Sequence, residues 1–231
     1  MGYVVDLAAV ILGQSEKRAE IIAQNLSNSV TAGYKRSIPF STLVDRMNIA
    51  SDEQLPLSVT IDTRPGKLVK TGNPLDLAIS GKGFFAVSVA GNINYSRDGR
   101  FSLGENGSLV NSAGGVLQDE NGRDIVISSA SFSVSEDGVI SEKGIRHSKI
   151  GVFDLRKEDG ELNLVGARSF DPANTSEFSL QQGWYEASNV SSGDEMVAMM
   201  EILRRAEAGQ RIMNVYDDLM GRALSAFGET R

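Results

Sequence analysis

The sequence predicts an α+β protein: a long amphipathic helix at each end, the two pairing as a coiled-coil-like rod domain, around an all-β middle of meander or sandwich type. Three observations carry this. Val5, Ala8, Leu12, Ser15, Ala19, Ile22 and Leu26 alternate three and four residues apart, the spacing that keeps one side of a helix facing a partner. At the other end Met199, Ile202, Ala206, Gly209, Met213, Tyr216, Met220, Ala223 and Phe227 repeat the alternation. Between them, turn dipeptides recur at the pitch of short strands.

The first helix has small residues at Ala8, Ser15 and Ala19, which permit close helix approach, and its charges Glu16, Lys17, Arg18 and Glu20 fall mostly off the seam. The last helix is expected to begin in a capping box of Ser192 and Glu195. Ile212, Val215, Leu219 and Leu224 lie off its stripe, so this helix is expected to meet more than one neighbour. Gly209 is its weak point, costing about 1 kcal/mol of helix propensity against Ala. Pattern alone also fits an intramolecular helical hairpin covering a sheet, so both readings stay open.

In the middle, "LDLAISGKGFFAVSV" reads as a strand, a glycine-marked turn and a second strand. Asp98-Gly99, Asn106-Gly107, Gly114-Gly115 and Asn121-Gly122 follow one another seven or eight residues apart, with Asp137-Gly138 and Asp159-Gly160 beyond. "NYSRDGRFSLGENGSLV" reads as the clearest hairpin. Pro39, Pro56 and Pro65 discourage continuous helix ahead of the strands. The expected division is an N-terminal helix and exit segment over 1–35, an extended linker over 36–67, a β-domain over 68–182 and a C-terminal helix over 183–231.

Composition narrows the function. The 231 residues hold 23 Lys and Arg against 30 Asp and Glu, a net charge of −7. That balance argues against nucleic acid as a partner and against binding to anionic membranes. There is no cysteine, which excludes disulfides, thiol catalysis and thiolate metal sites. The apolar run "VVDLAAVIL" is too short to span a bilayer and lacks a signal-peptide pattern, so no stable membrane insertion and no cleaved leader are expected.

No catalytic, cofactor or metal residue is singled out. Gly81-Lys82-Gly83-Phe84-Phe85-Ala86 fits a relaxed dinucleotide fingerprint, but a strand follows where a helix N-terminus is required. Asn94-x-Ser96-x-Asp98-Gly99 with Glu105 fits a loosened calcium loop, but lacks a leading carboxylate and flanking helices. His147, the single histidine, reads as structural or exposed.

Three blocks resemble one family. "QNLSNSVTAGYKR" carries Asn25, Leu26, Asn28, Thr31, Gly33, Tyr34 and Lys35. "GWYEASNVSSGDEM" carries Gly183, Glu186, Ser188, Asn189 and Val190, then Glu195 and Met196. "TGNPLDLAISGKGFFAV" and "YSRDGRFSLGENGSLVNSAGG" lie between. In this order they resemble the flagellar rod and hook family of axial proteins. The chain departs from the family's pattern at Gln24, where Asn is frequent, and at Gly209, where Asn often follows Arg-Ala-x-Glu-Ala. The short segment after Tyr34 and "IGVFDL" at 150–155 are most similar to the proximal-rod type; the distal-rod and hook types are the alternatives.

The resemblance implies a structural rather than catalytic protein, without cofactor. Its implied partners are copies of itself and other flagellar rod proteins, together with the flagellar type III export apparatus, which acts without cleavage. The implied location is the basal body, spanning the periplasm. It implies subunit contacts through Val5, Ala8, Leu12, Ala19, Ile22, Asn25, Leu26, Asn28, Gly33, Tyr34 and Lys35. On the other side these are Asn189, Val190, Met196, Met199, Ile202, Ala206, Met213, Tyr216, Met220 and Phe227. Tyr34 and Lys35 are expected to face neighbouring subunits. Gly33 suits either the chain's exit from an inner helix or a purely local cap. A coiled-coil-stalked binding protein and a cell-wall hydrolase are the rival readings.

Overall fold

The computed structural model describes residues 3–41, 57–128, 131–154, 173–174 and 177–228. Helix α1 (Tyr3–Ser27) opens the chain, followed by β1 (Ser37–Ser41), β2 (Leu57–Ile61), β3 (Leu68–Lys70), β4 (Leu77–Gly81), β5 (Phe84–Val89) and β6 (Asn92–Ser96). Next come β7 (Phe101–Leu103), β8 (Leu109–Asn111), β9 (Val116–Leu117), β10 (Phe132–Val134), β11 (Val139–Glu142) and β12 (Ile145–Lys149). Then follow β13 (Val152–Asp154), β14 (Ala173–Asn174), β15 (Phe178–Gln182), β16 (Trp184–Glu186) and helix α2 (Ser192–Gly228). The α+β class and the two terminal helices are as expected. The chain divides into two compact units, one built on α1, β1 and α2, the other on Asn28–Arg36 with Thr60–Val190.

In the helical unit α1 and α2 run antiparallel: Asn25 reaches Glu195, while Leu12 lies beside Gly209. β1 pairs with β2. The α2 cap is Ser191, one residue before the expected Ser192. Its carbonyl accepts the Glu195 N–H at 3.0 Å, and its hydroxyl the Asp194 N–H at a long 3.5 Å. Asp194 and Glu195 put negative charge on the first turn, where the helix dipole favours it.

The β unit is not a simple meander. One sheet has the order β14-β13-β5-β9-β8-β7 with β6 added to β5, and a separate three-stranded sheet runs β10-β11-β12. The late strands β15 and β16 return to pair antiparallel with the early β4 and β3. Turn dipeptides specify the local hairpins β7–β8, β8–β9 and β10–β11; the long-range pairings have no such local signal. The core is a continuous apolar cluster including Leu77, Phe85, Leu109, Leu117, Ile140, Ile150 and Leu180, each 3% exposed or less. Phe85 and Phe101 meet edge to face within it, centroids 5.7 Å apart.

The expected hairpin at Asp98-Gly99 does not form. β6 pairs with β5, joined by Ala90-Gly91 at φ 50° and 83°. Arg97, Asp98 and Gly99 instead run buried between β6 and β7. A side chain on Gly99 would strike the Leu77 carbonyl oxygen, so close approach rather than turning requires glycine there. Ala90-Gly91 and Lys143-Gly144 (φ 50° and 82°) fill the positive-φ hairpin slot that Asn-Gly or Asp-Gly usually occupies. Asp159-Gly160 lies outside the described residues.

Candidate functional site

The predicted seams face each other within the chain. On α1, Ser15 and Ile22 are buried and Leu12, Ala19 and Leu26 half-buried; on α2, Ile202 and Gly209 are buried and Met199, Ala206, Met213 and Tyr216 half-buried. The Ser15 hydroxyl donates to the Ile11 carbonyl at 2.7 Å, which leaves the seam effectively apolar at that point. A methyl group on Gly209 would rest 3.4 Å from Leu12 Cγ, in ordinary contact. Val5 and Ala8 lie in α1 and Phe227 in α2. The rest of α2 is different: Met196, Val197, Met200, Leu203, Ile212, Val215 and Leu219 are each 45–60% exposed, and within the stripe Met220 is 36% exposed. Most of the exposed apolar side chains are therefore not seam residues, and the off-seam Ile212, Val215 and Leu219 are among them.

At the base of α1, Asn25 is wholly buried. Its Oδ1 accepts the Ser37 N–H at 2.9 Å, and its Nδ2 donates to the Ser37 carbonyl at 2.8 Å and to Glu195 Oε2 at 3.3 Å. Asn28 closes the helix end: its carbonyl accepts the Thr31 N–H and its Oδ1 the Thr31 hydroxyl, both at 3.1 Å.

Gly33, at φ 66°, is buried in the β unit, where its N–H donates to the Glu186 carbonyl at 2.7 Å. A Cβ there would lie 2.0 Å from Asp98 N and 2.1 Å from Arg97 C. Its role is thus a tertiary docking point, beyond either a free exit or a local cap.

Lys35 does not reach outward as expected. Its side chain is 1% exposed, and its ammonium lies 2.5 Å from Glu186 Oε1 and 2.9 Å from the Arg64 carbonyl. Glu186 Oε1 also accepts the Gly66 N–H at 2.7 Å, and its Oε2 takes Arg97 Nη1 at 3.0 Å. Arg97 in turn donates to the carbonyls of Ile79 and Gly81 at 3.1 and 2.7 Å and lies over the Phe84 ring. One buried carboxylate thus holds two buried cations. Every additional donor and acceptor offsets the cost of taking these charges out of water. Burial lowers the pKa of both Lys35 and Arg97, against the raising influence of Glu186.

Beside this junction Asn189 accepts the Arg36 N–H at 2.7 Å and donates to the carbonyls of Asp62 and Arg64 at 2.9 and 3.0 Å. The exposed Arg64 forks onto Asp62, and its hydrogen bond is the main reason the Asp62 pKa is lowered. Tyr34 and Val190 are half-buried, and the Tyr34 carbonyl accepts the Asn189 N–H at 3.3 Å. Asn25, Gly33, Lys35 and Asn189 therefore bond inside their own units.

The sequence reading left Arg97, Glu186, Asp62 and Gly66 out of the candidate residues. The signal available was the presence of ionisable residues of fitting sign in each matched block, among them Lys35 in "GYKR", Arg97 in "SRDGR" and Glu186 in "GWYE". His147, 41% exposed, lies 3.2 Å from Glu142. Among the described residues no helix is long and apolar enough to cross a membrane.

Comparison with known families defines the class. The flagellar hook protein FlgE/F/G D1 domain matches residues 78–142, and the flagellar basal body rod FlgEFG protein C-terminal domain matches residues 181–226. These are segments of flagellar axial proteins. The flagellar basal-body rod protein FlgF of Caulobacter vibrioides is 31% identical over 227 residues, covering 92% of this chain and 93% of the relative. FlgF of Rhizobium meliloti is 26% identical over 94% of each chain. FlgG of Buchnera aphidicola subsp. Schizaphis graminum is 29% identical over 87% of this chain and 90% of its own. The chain belongs to the flagellar basal-body rod protein family.

Proposed function

We propose that the chain is a structural subunit of the proximal part of the rod, with α1 and α2 wound as a coiled coil that lines a hollow, torque-transmitting shaft. The observation that carries this reading is the two-sided character of α2. One stripe is covered by α1, while Met196, Val197, Met200, Leu203, Val215 and Leu219 stand at least half exposed on a single helix. Complete burial of an exposed side chain of this kind contributes about 1.5–3 kcal/mol; with half of the surface still in water, each has roughly half of that left to gain, and a row of them favours association. Burying the row of one copy against a different surface of the next gives a heterologous contact, which extends as a helical array.

The similarity to FlgF relatives over more than nine-tenths of the chain supports the proximal position. Copies of itself and neighbouring rod proteins are the partners, and delivery is by the flagellar export apparatus without a cleaved leader. The junction of Lys35, Glu186 and Arg97 works inside the subunit, holding together the segment after α1 and the segment before α2. A strain lacking the chain tests the reading: its isolated basal bodies are expected to lack the rod, and its cells not to swim. Intact rods in that strain would overturn it.

A further inference from the structure

The α1–α2 pair carries a groove of about 350 Å³, lined by Ile11, Ser15, Arg18, Ile202, Arg205 and Gly209 among others. It exists because two of the smallest side chains of the seams, Ser15 and Gly209, both fall there. The Ser15 hydroxyl is occupied by the Ile11 carbonyl, so the wall between them is apolar. Two guanidiniums stand on this lining. Among the described residues neither Arg18 nor Arg205 has a carboxylate within ion-pair distance. Arg18 Nε is buried with no hydrogen-bond partner. A buried donor without an acceptor is rare in finished structures. An apolar recess with two uncompensated cations fits an apolar side chain beside a carboxylate.

The same chain displays such a group. Val215 and Leu219, both 60% exposed, lie one helical turn apart on α2, and the exposed Asp218, three residues after Val215, shares their side of the helix. Asp218 pairs with Arg222 at 2.9 Å, but both side chains are more than 60% exposed. An ion pair of that kind contributes little and is readily exchanged.

Resting on the rod-subunit reading, we propose that the groove receives the Val215–Leu219 stretch of α2 from a second copy of this chain, with Asp218 meeting Arg18 and Arg205. Groove and inserted stretch are different surfaces of one molecule, so the contact continues from copy to copy. Charge also fixes the register. Copies with a net charge of −7 repel one another generally, and a cationic recess meeting an acidic stretch favours one arrangement over its slipped alternatives.

The test is charge exchange, read as the amount of chain in basal bodies isolated from cells. R18E with R205E, or D218R, is expected to lower incorporation about tenfold. Combining all three is expected to recover it to within about threefold of the unmodified chain. Far-UV circular dichroism of each purified variant checks that the helices persist. Because the sequence has no cysteine, A208C on one copy and L219C on another supply the only thiols, and oxidation is expected to join two copies. Unchanged incorporation of either charge-reversed variant would overturn the assignment. So would failure of the combined variant to recover, or a crosslink that joins only a different rod protein. A deletion strain that lacks its rod while the charge variants incorporate normally would remove the groove assignment and leave the rod reading standing.

Discussion

The β unit and the helical unit solve the same problem to different degrees. In the first, Phe85, Leu109 and Ile140 are sealed, and the buried ammonium of Lys35 and guanidinium of Arg97 share the Glu186 carboxylate. In the second, two helices cover one stripe of each other and leave Val197, Met200, Val215 and Leu219 at least half in water. The difference teaches where stability and assembly reside. A surface can be complete in the monomer or reserved for a neighbour, and under the proposed function the reserved apolar surface is largely helical.

The sharpest way to break the contrast is Glu186→Ala. It leaves two buried cations without a counter-charge and is expected to cost about 3–5 kcal/mol, read as a lowered midpoint in urea unfolding of the β unit. Gly33→Ala follows, at about 3 kcal/mol, because the new methyl group meets the Arg97–Asp98 backbone in a positive-φ position. Both substitutions should leave the helical circular dichroism of α1 and α2 largely intact; loss of helix in either would show that the two units do not fold separately.

Leu12→Asp or Met213→Asp places a carboxylate in the seam and is expected to cost about 2 kcal/mol of helical stability. Incorporation and motility should fall away while the β unit stays folded. Normal swimming of either variant would count against the helical assembly. Leu219→Asp sharpens the comparison further: within about 0.5 kcal/mol of native stability, yet absent from isolated rods. Smallest is Gly209→Ala, expected to raise helical stability by about 0.5–1 kcal/mol. Its methyl group would lie in ordinary contact with Leu12 and Ile11, and a thermal melt reads the change.

Periodicity made both helices legible, since a three-and-four alternation is a local property of the chain. It also showed that Ile212, Val215 and Leu219 lie off the seam. The pattern left the seams open between neighbouring subunits and the other helix of the same chain; in the structure Leu12 and Gly209 meet each other. Spacing shows that a face is apolar, without saying which chain covers it. Asn-Gly and Gly-Gly dipeptides marked hairpins where the turn is the whole signal. Asp98-Gly99 misled because its glycine is required by the Leu77 carbonyl, a neighbour twenty-odd residues away in sequence. The outward role expected for Lys35 failed for the same reason: its partner Glu186 lies 151 residues further on, and nothing local to "GYKR" reveals it.

The bonds of Gly33 to Glu186 and of Arg36 to Asn189 stitch the incoming and outgoing strands of the β unit to each other. A load entering along residues 28–36 and leaving along 186–190 is therefore handed across this seam as shear between two neighbouring segments. Phe85 and Leu109 sit in a sheet built from other strands, so under the proposed function a load along the shaft would reach the stitched segments before that sheet.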